Sequence, residues 1–318
     1  MLRILVVTLL VLSSSTSRAC GEEEEPALKV ARARFKKKIA DLTWVCYNPS
    51  TFRPPSAPGE PPRRVTEEEI ETDLRALIRA GFEPHRTGLC TYSCSRDSGL
   101  SEIGRVAKRL EFGGHVLGVW NLVGDELPTT VELARDGCCD AICVGNEGLD
   151  DRYSWEELSR VMMKLRSQTK LPVSTSEQID DYGLKELCDP DQVDFLYPNV
   201  HPVFYGRGNP REAAEFSISR TLSLKKRSPL MLLVHETGWP SSGRPVYTPE
   251  AQREFWRELL TAAEEKQLSF AVFEALDQAW KHELQDDDDV GPHWGWLTSK
   301  REPKEVTNLL RRVEEKKR

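Results

Sequence analysis

The sequence predicts one α/β domain of the (β/α)8 TIM-barrel class, and three observations carry that expectation. Eight short apolar runs alternate with eight segments of helical length and pattern. The chain of 318 residues is long enough to bury such a core as one unit. No glycine-rich phosphate loop follows an early run, as the nucleotide-binding form of an open doubly wound sheet would require. We divide the chain into an export-signal segment at residues 1–20, a charged segment at 21–40 and the barrel at 41–318.

Arg3, an apolar run from Ile4 to Leu12 and a small-residue tail to Cys20 form the first segment. The run is short for a bilayer span, so it reads as an export signal. A secreted, periplasmic or extracellular location follows. An uncleaved anchor and lipid attachment at Cys20 are the alternatives. Residues 21–40 are acidic from Glu22 to Glu25 and basic from Arg32 to Lys38, which predicts a solvated lead-in. Pro49 to Pro62 is proline-rich and predicts an extended loop.

The predicted strands are Leu42 to Tyr47, Pro84 to Cys90, His115 to Leu122, Ala141 to Gly145, Leu171 to Thr175, Val193 to Val200, Leu230 to His235 and Ser269 to Leu276. Helices are expected at 67–80, 99–111, 128–136, 154–167, 177–187, 210–225, 249–265 and 302–315. Thr66 with Glu69 and Ser154 with Glu157 have capping-box spacing, and Pro249 after Thr248 suits a first helical position.

A formal net charge of -7 argues against a nucleic-acid or anionic-membrane binder, which would present a basic field to phosphates. No later stretch reads as membrane-spanning. Eight cysteines in an exported chain predict some disulfides, with the pairing open. Cys90 with Cys94, and Cys138, Cys139 and Cys143, lack the spacing of structural zinc sites. The acidic run Asp286 to Asp289 lacks calcium-loop spacing and reads as solvated. We therefore expect no metal and no cofactor.

Barrel enzymes place their chemistry where strands run out at the C-terminal face. Glu147 falls just past the fourth predicted strand, after Asn146, and Glu236 just past the seventh. A carboxylate at the end of an apolar strand is costly unless paired, hydrogen-bonded or tuned for a task. Singly, each glutamate also reads as a loop cap or an ion-pair partner. Together across a barrel mouth they match the two carboxylates of glycoside hydrolysis, one donating a proton and the other attacking the anomeric carbon.

Val144-Gly-Asn-Glu147, with Glu236-Thr-Gly-Trp-Pro-Ser-Ser-Gly243, resembles the acid/base and nucleophile motifs of glycoside hydrolase family 17. Phe273 to Lys281 and His293-Trp-Gly295 resemble its strand-eight region, so the likeness runs from about Leu42 to Leu297. The resemblance implies a retaining β-1,3-glucan hydrolase with Glu147 as acid/base and Glu236 as nucleophile. A glucanosyltransferase using the same pair is the alternative. It further implies Asn146 on the sugar 2-hydroxyl, and His201 orienting Glu236 or touching sugar. Glu274 and Lys281 would bind hydroxyls or simply pair with other side chains. The segments around Cys46, Cys90 and Cys138 depart from the family pattern.

Sugar rings present apolar faces bounded by hydroxyls, so Trp239 and Trp294, near the last two strands, are candidate platforms. Trp44, Trp120, Trp155 and Trp256 lie in predicted strands or helices and read as packing residues. A β-glucan polysaccharide or oligosaccharide is the expected partner. A non-catalytic carbohydrate-binding protein would use the aromatics without needing both glutamates.

Overall fold

A computed structural model describes residues 25–55, 60–206, 208–284 and 289–310. The export-signal segment with Cys20, Asp286 to Asp288 and the end of the last expected helix lie outside the described residues.

All eight predicted apolar runs contain strand. They are β1 (Thr43–Cys46), β2 (Thr87–Cys90), β3 (Gly114–Val119), β4 (Ala141–Val144), β5 (Val173–Ser174), β6 (Phe195–Leu196), β7 (Met231–Leu232), β8 (Val234–Thr237) and β9 (Phe270–Val272), with β7 and β8 dividing the seventh run. The pairs are parallel, in a curled α/β sheet of order β5-β4-β3-β2-β1-β9-β8, while β6 pairs with β7. Asp194 N–H to Val173 O at 3.0 Å and Asn199 N–H to Glu177 O at 2.9 Å join the β6 segment to that of β5. His235 N–H to Pro198 O at 2.9 Å and Val200 N–H to Glu236 O at 2.7 Å join it to that of β8.

The helices are α1 (Pro26–Asp41), α2 (Glu67–Ala80), α3 (Glu102–Arg109), α4 (Glu126–Arg135), α5 (Trp155–Thr169), α6 (Pro210–Arg227), α7 (Pro249–Lys266) and the short α8 (Trp280–Leu284). Thr66 and Ser154 form complete capping boxes, and Thr248 accepts from Ala251 N–H with Pro249 at the helix start. Side chains alternate across each strand. On β1, Val45 joins Leu74 and Leu77 of α2 in one core, whereas Trp44 and Cys46 join Phe195, Tyr197 and Leu233 in another.

Three expectations are corrected. From Pro26 on the charged lead-in is folded: α1 packs Phe35 against Trp44 and Phe195, with ring centroids 5.9 and 5.0 Å apart. Arg32 Nε reaches Asp194 at 2.7 Å and Lys38 reaches Asp140 at 2.7 Å. Its charges therefore serve acids just before β6 and β4, at the end of the sheet opposite the glutamates. The helix expected at 177–187 is two short 3-10 turns, Asp181–Gly183 and Glu186–Cys188. Ile179 N–H is committed to Asn199 O at 2.9 Å, and Gly183 is a weak helix former. Finally, Cys46, Cys90, Cys94, Cys138, Cys139, Cys143 and Cys188 are all unpaired. All but the half-buried Cys188 behave as small core residues, Cys46 Sγ donating to His235 O at 3.0 Å and Cys143 Sγ to Gly145 O at 3.3 Å.

Among the described residues no helix is long and apolar enough to cross a membrane. No group of three or more His, Cys, Asp and Glu residues there is arranged to hold a metal ion.

Candidate active site

β4 ends at Val144, and the chain turns through Gly145 at φ +75° and Glu147 at φ +47°. Glycine suits the first of these, because a Cβ there would strike the Tyr153 hydroxyl. Glu236 lies within β8 and is 5% exposed, whereas Glu147 stands exposed at the rim. Two asparagines link the pair. Asn199 Nδ2 donates to Glu147 Oε1 at 2.8 Å and to Asn146 Oδ1 at 3.1 Å, and Asn146 Nδ2 donates to Glu236 Oε1 at 3.4 Å.

The orientation of Asn199 is itself fixed. Ser176 Oγ–H donates to Asn199 Oδ1 at 2.9 Å, so His235 Nδ1, 2.9 Å from the same Oγ, must be the donor to it. His235 stacks on Tyr197 at 4.2 Å, and burial lowers its pKa to about 4. It is therefore neutral near pH 7. His201 Nε2 lies 3.0 Å from Glu236 Oε2 and must carry the proton, since an ionised carboxylate only accepts.

The two carboxyls are pushed apart in acidity. For Glu147, exposed as a residue but with its carboxyl drawn in against Asn199, that partial desolvation and then the charge of Glu236 raise the pKa, against the hydrogen bond from Asn199. For Glu236, burial acts upward but is outweighed by the hydrogen bond from His201 and by favourable electrostatics from the neighbouring histidine and lysine side chains, which hold the pKa at about 2. One carboxyl is thus poised to keep a proton and the other to lose it.

Lys281 Nζ binds Glu274 Oε1 at 2.6 Å, and burial raises the Glu274 pKa to about 7. The pair stands beside the site as an ion pair. Trp294 is 3% exposed and meets His201 and Phe273 edge-on, with centroids 5.4 Å away in both cases. It backs His201. Trp239 is corrected: it is fully buried, stacked on Phe255 at 5.9 Å and edge-on to Tyr247 at 5.2 Å, and so offers no face to a sugar.

Sequence reasoning left out Asn199, Ser176 and His235, whose contacts depend on register between strands. It also assigned Trp120 to packing. That ring follows β3 at the C-terminal face, is 39% exposed and carries the Arg152 guanidinium 3.9 Å from its centroid. Its place after a strand was the available signal. Phe204, in the turn after His201, is 66% exposed and 6.4 Å from Trp294.

Residues 45–295 match the family described as BtgE/BtgC glycoside hydrolase domain. A glucan 1,3-beta-glucosidase of Candida albicans is 29% identical over 151 residues, covering 42% of this chain and 48% of that protein. One from Saccharomyces cerevisiae is 30% identical over 118 residues, covering 33% and 37%. The chain thus spans less than half the length of these relatives. Among solved structures, a glycoside hydrolase family 17 beta-1,3-glucanosyltransferase from Rhizomucor miehei superposes with TM-score 0.65 at 18% identity, covering 84% of this chain and 96% of that one. An endo-laminarinase from Formosa superposes with TM-score 0.65 at 17% identity, covering 86% and 88%. The fold is shared with both.

Proposed function

The chain belongs to the BtgE/BtgC glycoside hydrolase family, which bears out its resemblance to glycoside hydrolase family 17, and from that membership we propose that it acts on β-1,3-glucan with retention of configuration. The observation that carries the reading is the divided acidity of Glu147 and Glu236 on one asparagine-bridged site. The glucan linkage is supported by the names of the yeast relatives and of the two structural neighbours.

In this reading the curled sheet is a closed (β/α)8 barrel, a reading supported by the backbone bonds that link the β6 segment to its neighbours on both sides. Ionised Glu236 attacks the anomeric carbon, the glycosidic C–O bond breaks, and the proton of Glu147 passes to the departing oxygen. The ester formed at Glu236 no longer carries charge, so Glu147 loses the repulsion that kept it protonated. It then takes a proton from the incoming nucleophile, which displaces Glu236 and restores the β anomer. Water as that nucleophile gives hydrolysis, and a sugar hydroxyl gives glucanosyl transfer. Asn146 and the side of Glu236 not held by His201 border the place where the sugar 2-hydroxyl would lie. Export, proposed with this function, is supported by the leader pattern at residues 1–20.

Incubation with a 2-deoxy-2-fluoro laminaribiosyl fluoride, followed by peptide mass spectrometry, tests the assignment. The expected result is a glycosyl adduct on Glu236. An adduct on another carboxylate, or none with an enzyme that turns over glucan, would remove Glu236 from the nucleophile's role.

A further inference from the structure

The turn that carries Glu147 is held by groups outside the carboxylate pair. Glu147 occupies left-handed backbone at φ +47°, followed shortly by Asp150 at φ +64°. For residues other than glycine such conformations cost about 1–3 kcal/mol and persist only where the surroundings over-determine them. Here Glu147 N–H donates to Ser176 O at 2.8 Å, and Arg152 Nη2 donates to Asn146 O at 2.6 Å. The next residue on the β5 segment, Glu177, is 2% exposed; burial raises its pKa to about 7, against the neighbouring backbone N–H groups of Leu149 and Gly148, which favour its charged form. It also accepts the Tyr153 hydroxyl at 3.3 Å, while Tyr153 N–H returns to Gly148 O at 3.2 Å.

We infer that Glu177 is a positioning residue for Glu147: by binding the two N–H groups that follow Glu147, its carboxylate holds the left-handed turn and aims the Glu147 carboxyl at the departing oxygen. The inference rests on the acid/base role proposed above. Two features separate Glu177 from an ordinary buried acid. The peptide groups that favour its charge are the two directly after Glu147, and the side chain that donates to it is the uncharged Tyr153 hydroxyl. Burial without a matching cation raises its pKa, and the turn's own N–H groups are what favour the charged form. Glu126, likewise buried, binds Trp120 N–H at 2.8 Å and Asn121 N–H at 3.3 Å in the loop after β3.

The test compares two donors, a β-1,3-gluco-oligosaccharide and a 2,4-dinitrophenyl β-laminaribioside, in the wild type, Glu177→Gln and Glu177→Asp. Dinitrophenolate departs without a proton, so its burst reports glycosylation independently of the acid. Glu177→Gln should lower kcat on the oligosaccharide about tenfold or more with KM within about twofold, because proton transfer depends on placement. Its dinitrophenolate burst should keep the wild-type rate, and Glu177→Asp should recover part of the loss. An equal loss on both donors, or none on either, would overturn the inference. Should Glu177→Gln fail to fold, Tyr153→Phe is read with the same donors, and the same oligosaccharide-selective loss is expected. A wild type that turns over neither donor would instead refute the acid/base reading on which the inference rests.

Discussion

Replacing His201 by phenylalanine isolates one bond at the centre of the site. Phenylalanine keeps a ring for the edge-on contacts with Phe273 at 5.1 Å and Trp294 at 5.4 Å, but it cannot donate to Glu236. A hydrogen bond to a charged group contributes about 1.5–3 kcal/mol, equivalent to moving a pKa by about 1 to 2 units. Glu236 must be ionised to attack, and its pKa lies at about 2, so activity in the wild type is lost only as pH falls toward that value. The acid limb of kcat/KM should therefore move up by about 1 to 2 pH units in His201→Phe. The sign for stability agrees: a carboxyl depressed in the folded state stabilises above its unfolded pKa and loses that contribution as pH falls through the folded one. The variant should lose it at higher pH. The assay is reducing-end release from a β-1,3-gluco-oligosaccharide across the acid range, with near-UV circular dichroism confirming the fold at each pH. A uniform fall in rate with an unmoved acid limb would refute the reasoning, because it would mean that His201 does not set the ionisation of Glu236.

Asp194→Ala removes an acid fully buried between Arg32 and Arg166 and should lower stability by about 3–5 kcal/mol, read from denaturant unfolding. Trp239→Ala should also cost about 3–5 kcal/mol through the cavity it opens, with KM for glucan unchanged at temperatures where the variant is folded. Lys281→Met tests Glu274, whose carboxyl is raised by burial from 4.5 to about 7. The folded chain holds a proton that the unfolded chain releases, so this group's contribution is full below 4.5 and is lost as pH rises through about 7. Without Lys281 the melting temperature should fall more steeply across that window and beyond.

The elements that were legible in sequence are those whose signal is local. Apolar runs located the strands, Thr66 with Glu69 and Ser154 with Glu157 located two helix starts, and strand ends located Glu147 and Glu236. What escaped depends on contacts between distant segments. The charges of α1 read as solvated until Asp194 and Asp140 stood opposite them. Trp239 read as a loop platform because no local pattern tells a ring turned into the core from one facing the cleft. The roles of Asn199 and Glu177 arise only from the registers of the β5, β6 and β8 segments. The cysteines misled because composition suggests compartment, while pairing requires geometry.

Time-resolved product analysis on β-1,3-gluco-oligosaccharides, with β-1,4 and β-1,6 oligomers as controls and Glu236→Ala as the blank, tests the central claim most directly. The account predicts that only the β-1,3 oligomers react, that released products carry the β anomer at first, and that the blank is inert. Products shorter than the substrate identify water as the acceptor, and longer ones identify sugar. Products released first as the α anomer, or full activity in the blank, would contradict it.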